Sequence, residues 1–414
     1  MSPAAFKVIK GARIIDSIQA KPLERGAILV EGSKIKWVGA EKDLEAPEGA
    51  RVETFDYTGK TVLPGLVDVH THTNLPGDGT AVEEGCAEPD EILMLRSAWN
   101  ARKHLESGVT TARDNGAKNM TAMYLKQGIE RGFIPGPRMV ISGRPVTITG
   151  GHCWPMNGEA DGVDGVREAV RRLIKEGVDW IKVMTTGGGT RSSYSSLPSY
   201  SVDELRVLTY EAHNFGKLVG AHCSATQGMV NSLDAGVNMI IHGTFHEPDG
   251  TYKFHPKVAE RIAKQGVWVN PTLRVGNSTV TVLEAKQKAQ GLTPPEVALL
   301  DSTKRRIHNR QDYCRRYIEM GVKLVSGSDS GWGNYPMGYF QWEVEDMAGL
   351  GLSNMDAVLS ATRESAKSIG MDRLVGTLEA GKEADILVVD GNPLKEIKDL
   401  RKVAAVFKGG IKAK

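Results

Sequence analysis

Six residues with metal-ligand chemistry stand at the ends of apolar runs in this chain: His70, His72, Lys182, His222, His242 and Asp329. His70 and His72 close the stretch Val-Leu-Pro-Gly-Leu-Val-Asp-Val-His-Thr-His (62–72). Strand side chains alternate faces, so two histidines spaced by one residue point the same way and can grip one ion. A pair like this, followed by a lysine, two separated histidines and a late aspartate, describes a hydrolytic two-metal site.

Lys182 sits in Trp-Ile-Lys-Val-Met, a run expected to be buried on both faces. An ammonium buried without a partner is costly. Either it pairs with an interior acid, or burial depresses its pKa and the neutral amine takes up carbon dioxide. The carbamate then bridges two cations as a carboxylate does. Cations in such a site lower the pKa of water from about 15.7 to about 7, giving a shared hydroxide that attacks the substrate. Asp329, in Val-Ser-Gly-Ser-Asp, is expected to bind one ion, take the proton and return it to a leaving nitrogen. Ser-Asp-Ser-Gly equally suits a turn.

These residues need elements to hold them. Apolar runs at Gly65–His70, Val109–Arg113, Arg138–Ser142, Trp180–Thr185, Leu218–His222, Met239–His242, Val267–Pro271 and Leu324–Ser328 read as eight strands. Glu91–Glu106, Val166–Glu176, Val202–Phe215 and Pro256–Lys264 carry helical apolar spacing between them. A longer, charged helix is expected over 294–320 and a closing helix over Ser353–Ile369. Strand–helix alternation argues for a parallel α/β fold, and eight units for a closed barrel with the ligands at its C-terminal mouth. Strand-like segments also occur at both ends: Lys7–Ile15, Gly26–Glu31, Ser33–Val38, 376–390 and Val403–Phe407. The expected organisation is a small composite β-sandwich domain from 1–63 plus 371–414, flanking a barrel over 64–370.

The chain has 414 residues, is 40% apolar and carries a net charge of +2, which gives no reason to expect nucleic acid or an anionic membrane as partner. The start, Met-Ser-Pro-Ala-Ala-Phe-Lys, lacks a signal-peptide core, and no apolar run reaches membrane-spanning length. Four cysteines without Cys-x-x-Cys spacing fit a reduced cytoplasm, and Cys223 reads as a packed thiol.

The motifs resemble the amidohydrolase superfamily, from Leu-Pro-Gly-Leu-Val-Asp-Val-His-Thr-His to Gly-Thr-Leu-Glu-Ala-Gly-Lys-Glu-Ala-Asp (376–385). Thr-Gly-Gly-His (149–152), Ile-Lys-Val-Met-Thr-Thr-Gly-Gly (181–188) and Ile-His-Gly-Thr (241–244) are similar to its imidazolonepropionase-like, Xaa-Pro dipeptidase-related branch. The resemblance implies a distorted (β/α)8 TIM barrel, two divalent ions, commonly zinc, and a homo-oligomer. It implies that His70, His72 and Asp329 hold the more buried ion, that His222 and His242 hold the other, and that carboxylated Lys182 bridges them. It also implies that His152 contacts substrate. Relatives often carry Tyr or His two residues after the strand-5 ligand, whereas this chain has Ser224, a shorter donor still aimed inward by alternation.

Trp332, with Trp154, Tyr194, Tyr335 and Tyr339, lies in loop-like stretches that either shape an apolar pocket or simply pack. Arg191, in the Gly-rich loop 187–196, either pairs with a substrate carboxylate or is solvated. The expected activity is hydrolysis of a C–N bond in a small molecule such as an N-acyl amino acid, dipeptide or aryl amide. The alternatives are a carbamate or urea hydrolase using the same site, a one-metal deaminase, or a scaffold that has lost its chemistry. A deaminase of this kind usually has glutamate where Ala225 stands.

Overall fold

The structure is a computed structural model and describes residues 6–45 and 49–414. Residues 1–5, part of the start expected to lack a signal-peptide core, and 46–48, inside the expected composite β domain, lie outside the described residues.

Both chain ends build one sheet. From the N-terminal side come β1 (Phe6–Ile14), β2 (Leu23–Glu31), β3 (Lys34–Ala40), β4 (Val52–Asp56) and β5 (Lys60–Pro64). Three late strands complete it, and they take the last numbers in the chain: β13 (Ile386–Asp390), β14 (Val403–Lys408) and β15 (Ile411–Lys412). The order is β15-β14-β13-β5-β1-β2-β3, with β4 also on β1, making eight strands. The expected two-layer sandwich is therefore a single hydrogen-bonded sheet. Its continuity comes from β1, whose first half pairs with β4 and whose last residues pair with β5. Ile9, Ile28, Ile35, Val62, Ile386 and Phe407 form its apolar core. Only 386–390 of the expected strand 376–390 is regular, because Gly376 and Gly381 turn the chain at positive φ.

Between those ends lie β6 (Leu66–Thr71), β7 (Val109–Asp114), β8 (Arg138–Ile141), β9 (Trp180–Met184), β10 (Leu218–Ala225), β11 (Met239–His246) and β12 (Trp268–Asn270). They form two parallel sheets, β6-β7-β8 and β12-β11-β10-β9. Parallel bridges Val146↔Val183 and Val269↔Leu324 extend them toward each other. The expected eighth strand, Leu324–Ser328, is not a regular strand among the described residues. Its backbone still meets β6, through Asp329 N–H to His70 O (2.8 Å) and His72 N–H to Ser330 O (2.9 Å). The ladder breaks because the Asp68 carboxylate takes the Ser328 N–H (2.9 Å) and the His70 N–H (3.0 Å).

Helices pack outside these sheets by their apolar stripes. Gly162–Glu176 buries Val166, Val170 and Leu173 at helical spacing. Val202–Asn214 starts at a capping box, with Ser201 and Glu204 satisfying each other's N–H groups. The expected long helix is Pro294–Glu319, and it packs against a helix over Leu273–Gln290 that periodicity did not single out. The expected closing helix is split into Asn354–Ser360 and Arg363–Ser368. The break follows from Ala361, whose carbonyl accepts the Val67 N–H at 2.8 Å instead of continuing the helix. Among the described residues no helix is long and apolar enough to cross a membrane.

Candidate active site

β6 delivers His70 and His72 to one face, and the geometry fixes their proton positions. His70 Nδ1 lies 3.0 Å from Asn270 Oδ1, while the Asn270 amide NH2 donates to Gly327 O at 3.0 Å. His72 Nδ1 lies 3.0 Å from the Gly116 carbonyl. Both partners accept only, so each Nδ1 carries the proton and each Nε2 is a bare lone pair. Those two Nε2 atoms are 3.2 Å apart, and each is 3.3 Å from Asp329 Oδ1. Burial and nearby Lys182 hold His70 well below the usual histidine pKa, so its Nε2 does not take up a proton. Three acceptor atoms converging without a hydrogen between them repel one another unless a cation sits among them. The donor set therefore fits a metal ion.

The second pair comes from β10 and β11, in register with Lys182 on β9: Gly220 pairs with Lys182, and Cys223 with His242. His222 Nε2 donates to Gly187 O (3.1 Å), which leaves Nδ1 free for a ligand, and Ser224 Oγ lies 3.3 Å from the same Nε2. His242 Nδ1 meets Thr272 Oγ1 at 2.7 Å, which leaves Nε2. The two ring centroids are 4.6 Å apart, and burial pushes both pKa values well down. Lys182 is 1% exposed, and burial lowers its amine to about 7. Among the described residues it makes no hydrogen bond or ion pair; the buried Asp329 carboxylate is near enough to favour the charged amine, but burial outweighs it.

His242, Thr272, Asp329 and Cys153 are all non-glycine residues at positive φ, between 49° and 69°. Such backbone is unfavourable, most of all for β-branched Thr272, and it concentrates where function holds it.

A family model for the amidohydrolase family matches residues 61–412. The chain belongs to the amidohydrolase family. Ochratoxinase from Aspergillus niger is 26% identical over 427 residues, covering 94% of this chain and 83% of that one. Imidazolonepropionase from Mesorhizobium japonicum is 25% identical over 396 residues, with 89% and 87% covered. The crystal structure of a Xaa-Pro dipeptidase with bound methionine superposes with a TM-score of 0.84 at 27% identity, covering 98% of this chain and 99% of that one.

In this amidohydrolase all six expected ligands line one cavity of ≈ 390 Å³, together with His152, Ser224 and Trp332. The His152 ring stands 4.4 Å from that of His222 and 5.2 Å from that of Trp332. Burial lowers the His152 pKa to about 3, so the ring is neutral. A Cβ on Gly188 would lie 2.5 Å from His152, so only glycine lets the loop approach this closely. Arg191 does not reach the cavity. Its exposed guanidinium pairs with Glu84 at 2.7 Å and ties the 187–196 loop to the helix Val82–Ala87. Tyr194 is exposed and Tyr335 is fully buried, so of the five loop aromatics only Trp332 lines the cavity.

Sequence reasoning missed the supports. Asn270, Gly116 and Thr272 orient His70, His72 and His242. Asp114 holds Gly116 in place through its N–H at 3.1 Å. His104, on the helix Asp90–Glu106, donates Nε2–H to Asp68 at 3.1 Å and accepts the Gly338 N–H at Nδ1. The one available signal was Asp68, an acid inside an otherwise apolar strand two residues before His70.

Proposed function

We propose that this amidohydrolase cleaves an amide-type C–N bond of a small molecule at a centre of two divalent ions, zinc being the best match to the nitrogen-rich donors. The observation that carries this reading is the convergence of the bare Nε2 atoms of His70 and His72 on Asp329. His70, His72 and Asp329 would hold one ion and His222 and His242 the other, with Lys182, as a carbamate, serving as a ligand to the pair. Its amine, lowered to about 7 by burial that outweighs the pull of Asp329, favours the neutral form that reacts with carbon dioxide. Bound there, the ions supply Lewis acidity and acidify the attacking water.

The protein's own groups do the rest. Asp329 takes the proton of the attacking water and returns it to the leaving nitrogen. Its position beside both histidines and its left-handed backbone fix the carboxylate for that task. His152 and Ser224 orient the substrate, and Trp332 packs on His72 with ring centroids 5.7 Å apart, closing the apolar side. The names of the relatives (ochratoxinase, Xaa-Pro dipeptidase, imidazolonepropionase) support C–N hydrolysis as the shared reaction.

We read the two parallel sheets and the 324–330 segment as a distorted (β/α)8 barrel over 64–370, with 1–63 and 371–414 forming a separate β unit. A cytoplasmic homo-oligomer completes the reading. The test is a hydrolysis screen over N-acyl amino acids, dipeptides, aryl amides, carbamates and ureas, with elemental analysis of the same sample. Two ions per chain and release of an acid and an amine are expected. Ammonia release without an acid product, or protein free of transition metal and inert after metal and bicarbonate, overturns it.

A further inference from the structure

The cavity has a second, basic end. The helix Pro294–Glu319 carries Arg306 and Arg310 four residues apart on one face, and both line the cavity. No carboxylate pairs with either guanidinium among the described residues. Among the described residues, Asp329 is the only acid that lines the cavity, and it is already engaged with His70 and His72. Two like charges brought to one wall without an acid between them describe an anion site.

Arg310 is the better placed of the two. It is half-buried, whereas Arg306 is exposed. Its Nη1 donates to the Thr272 carbonyl at 2.7 Å and to the Thr272 hydroxyl at 3.3 Å. The same hydroxyl meets His242 Nδ1, so Arg310 stands two hydrogen bonds from a proposed metal ligand. Tethering one nitrogen immobilises the guanidinium and leaves its Nε–Nη2 edge, the two-donor fork that grips a carboxylate side-on. Thr272 is held in turn, because Glu343 accepts the next two backbone N–H groups, those of Leu273 and Arg274, at 2.9 and 2.7 Å.

We propose that Arg310 receives an ionised carboxylate of the substrate near the scissile bond, so that the substrate is an amide bearing a free acid and not a neutral amide, carbamate or urea. This rests on the hydrolase reading above and narrows it. The carboxylate can lie on the amine side, as in an N-acyl amino acid, or on the acyl side, as in a succinic monoamide.

The experiment compares N-acetyl amino acids and N-alkyl succinamic acids with their methylamides, using holoenzyme. The expected result is a preference for the acid of roughly 10–100-fold in kcat/KM, expressed mainly in KM. Whichever acid series shows it identifies the side. In Arg310→Gln the preference collapses toward one while metal content stays that of the wild type. Arg310→Lys, which keeps the charge but not the fork, recovers part of it and carries the test should the Gln variant lose metal. Calorimetric binding of each acid and its methylamide needs no turnover and gives the same comparison. If neutral amides or ureas turn over as well as acids, Arg310 is not a receptor although the hydrolase reading survives. Equal binding of acid and methylamide, or an unchanged preference in Arg310→Gln, also overturns the proposal. Absence of turnover on every substrate, with acid-selective binding intact, would instead remove the hydrolase reading.

Discussion

His70 and His72 face each other nitrogen to nitrogen, with 3.2 Å between Nε2 atoms that carry no hydrogen. Each ring has given its proton to a fixed acceptor, Asn270 Oδ1 for one and the Gly116 carbonyl for the other. Two lone pairs held this close, with a carboxylate oxygen 3.3 Å from both, are the donor set that the proposed cation would fit.

His72→Asn should therefore lose at least one of two bound ions and most activity. Elemental analysis of dialysed protein reads this directly. A variant retaining two ions per chain would show that the histidine is not a ligand.

Asn270→Leu tests whether the orienting partner matters beyond shape. Without its Oδ1, His70 can protonate at either nitrogen and rotate. Metal affinity or activity should fall by roughly 10–100-fold, the usual effect of removing an outer partner of a ligand histidine. A competitive chelator titration measures it, and an unchanged affinity would mean that packing alone fixes the ring.

Lys182→Ala should strip one or both ions and abolish turnover, because the proposed carbamate ligand is lost with the amine. Full activity in that variant would refute the bridging role.

The metal-free protein should show an unusual pH dependence. Burial places the folded Lys182 amine at about 7 against 10.5 for the free side chain. Between those values the unfolded chain holds more protons, so stability rises with pH there, by at most ~1.4 kcal/mol per unit. Above 9 the buried thiols act in the opposite sense. Cys86 and Cys314 are pushed up to about 12, so the unfolded chain ionises first and stability falls. Urea midpoints should climb from pH 7 to 9 and then decline, and Lys182→Met should lose the climb. A flat wild-type profile over that range would contradict the buried neutral amine.

Asp329→Asn should keep the fold, read by circular dichroism, and lower kcat by ~10²–10⁴-fold, the range of a general acid–base group. A rate near that of the wild type would end its role in proton transfer.

Much of the site was legible in the order of residues. A strand alternates its faces whatever surrounds it, so His70 and His72 had to point together. Lys182 in a wholly apolar strand announced an unusual environment before any coordinate was known. The parallel α/β character followed from the alternating runs, and the composite sheet from strand texture at both ends. Regularity at the eighth position was not legible. Its backbone N–H at Ser328 is taken by Asp68, 260 residues away.

What the sequence determined by itself was the set of chemical groups and which neighbours along a strand share a face, because those depend on local geometry alone. What only the tertiary structure decided was the state of each group. Asn270, 200 residues from His70, sets that ring's proton, and Thr272 orients His242 from a strained turn. The same closure turned Arg191 outward to Glu84 and brought Arg310 to the cavity in its place. Protonation, orientation and access depend on partners across space, and those partners meet only when the chain closes on itself.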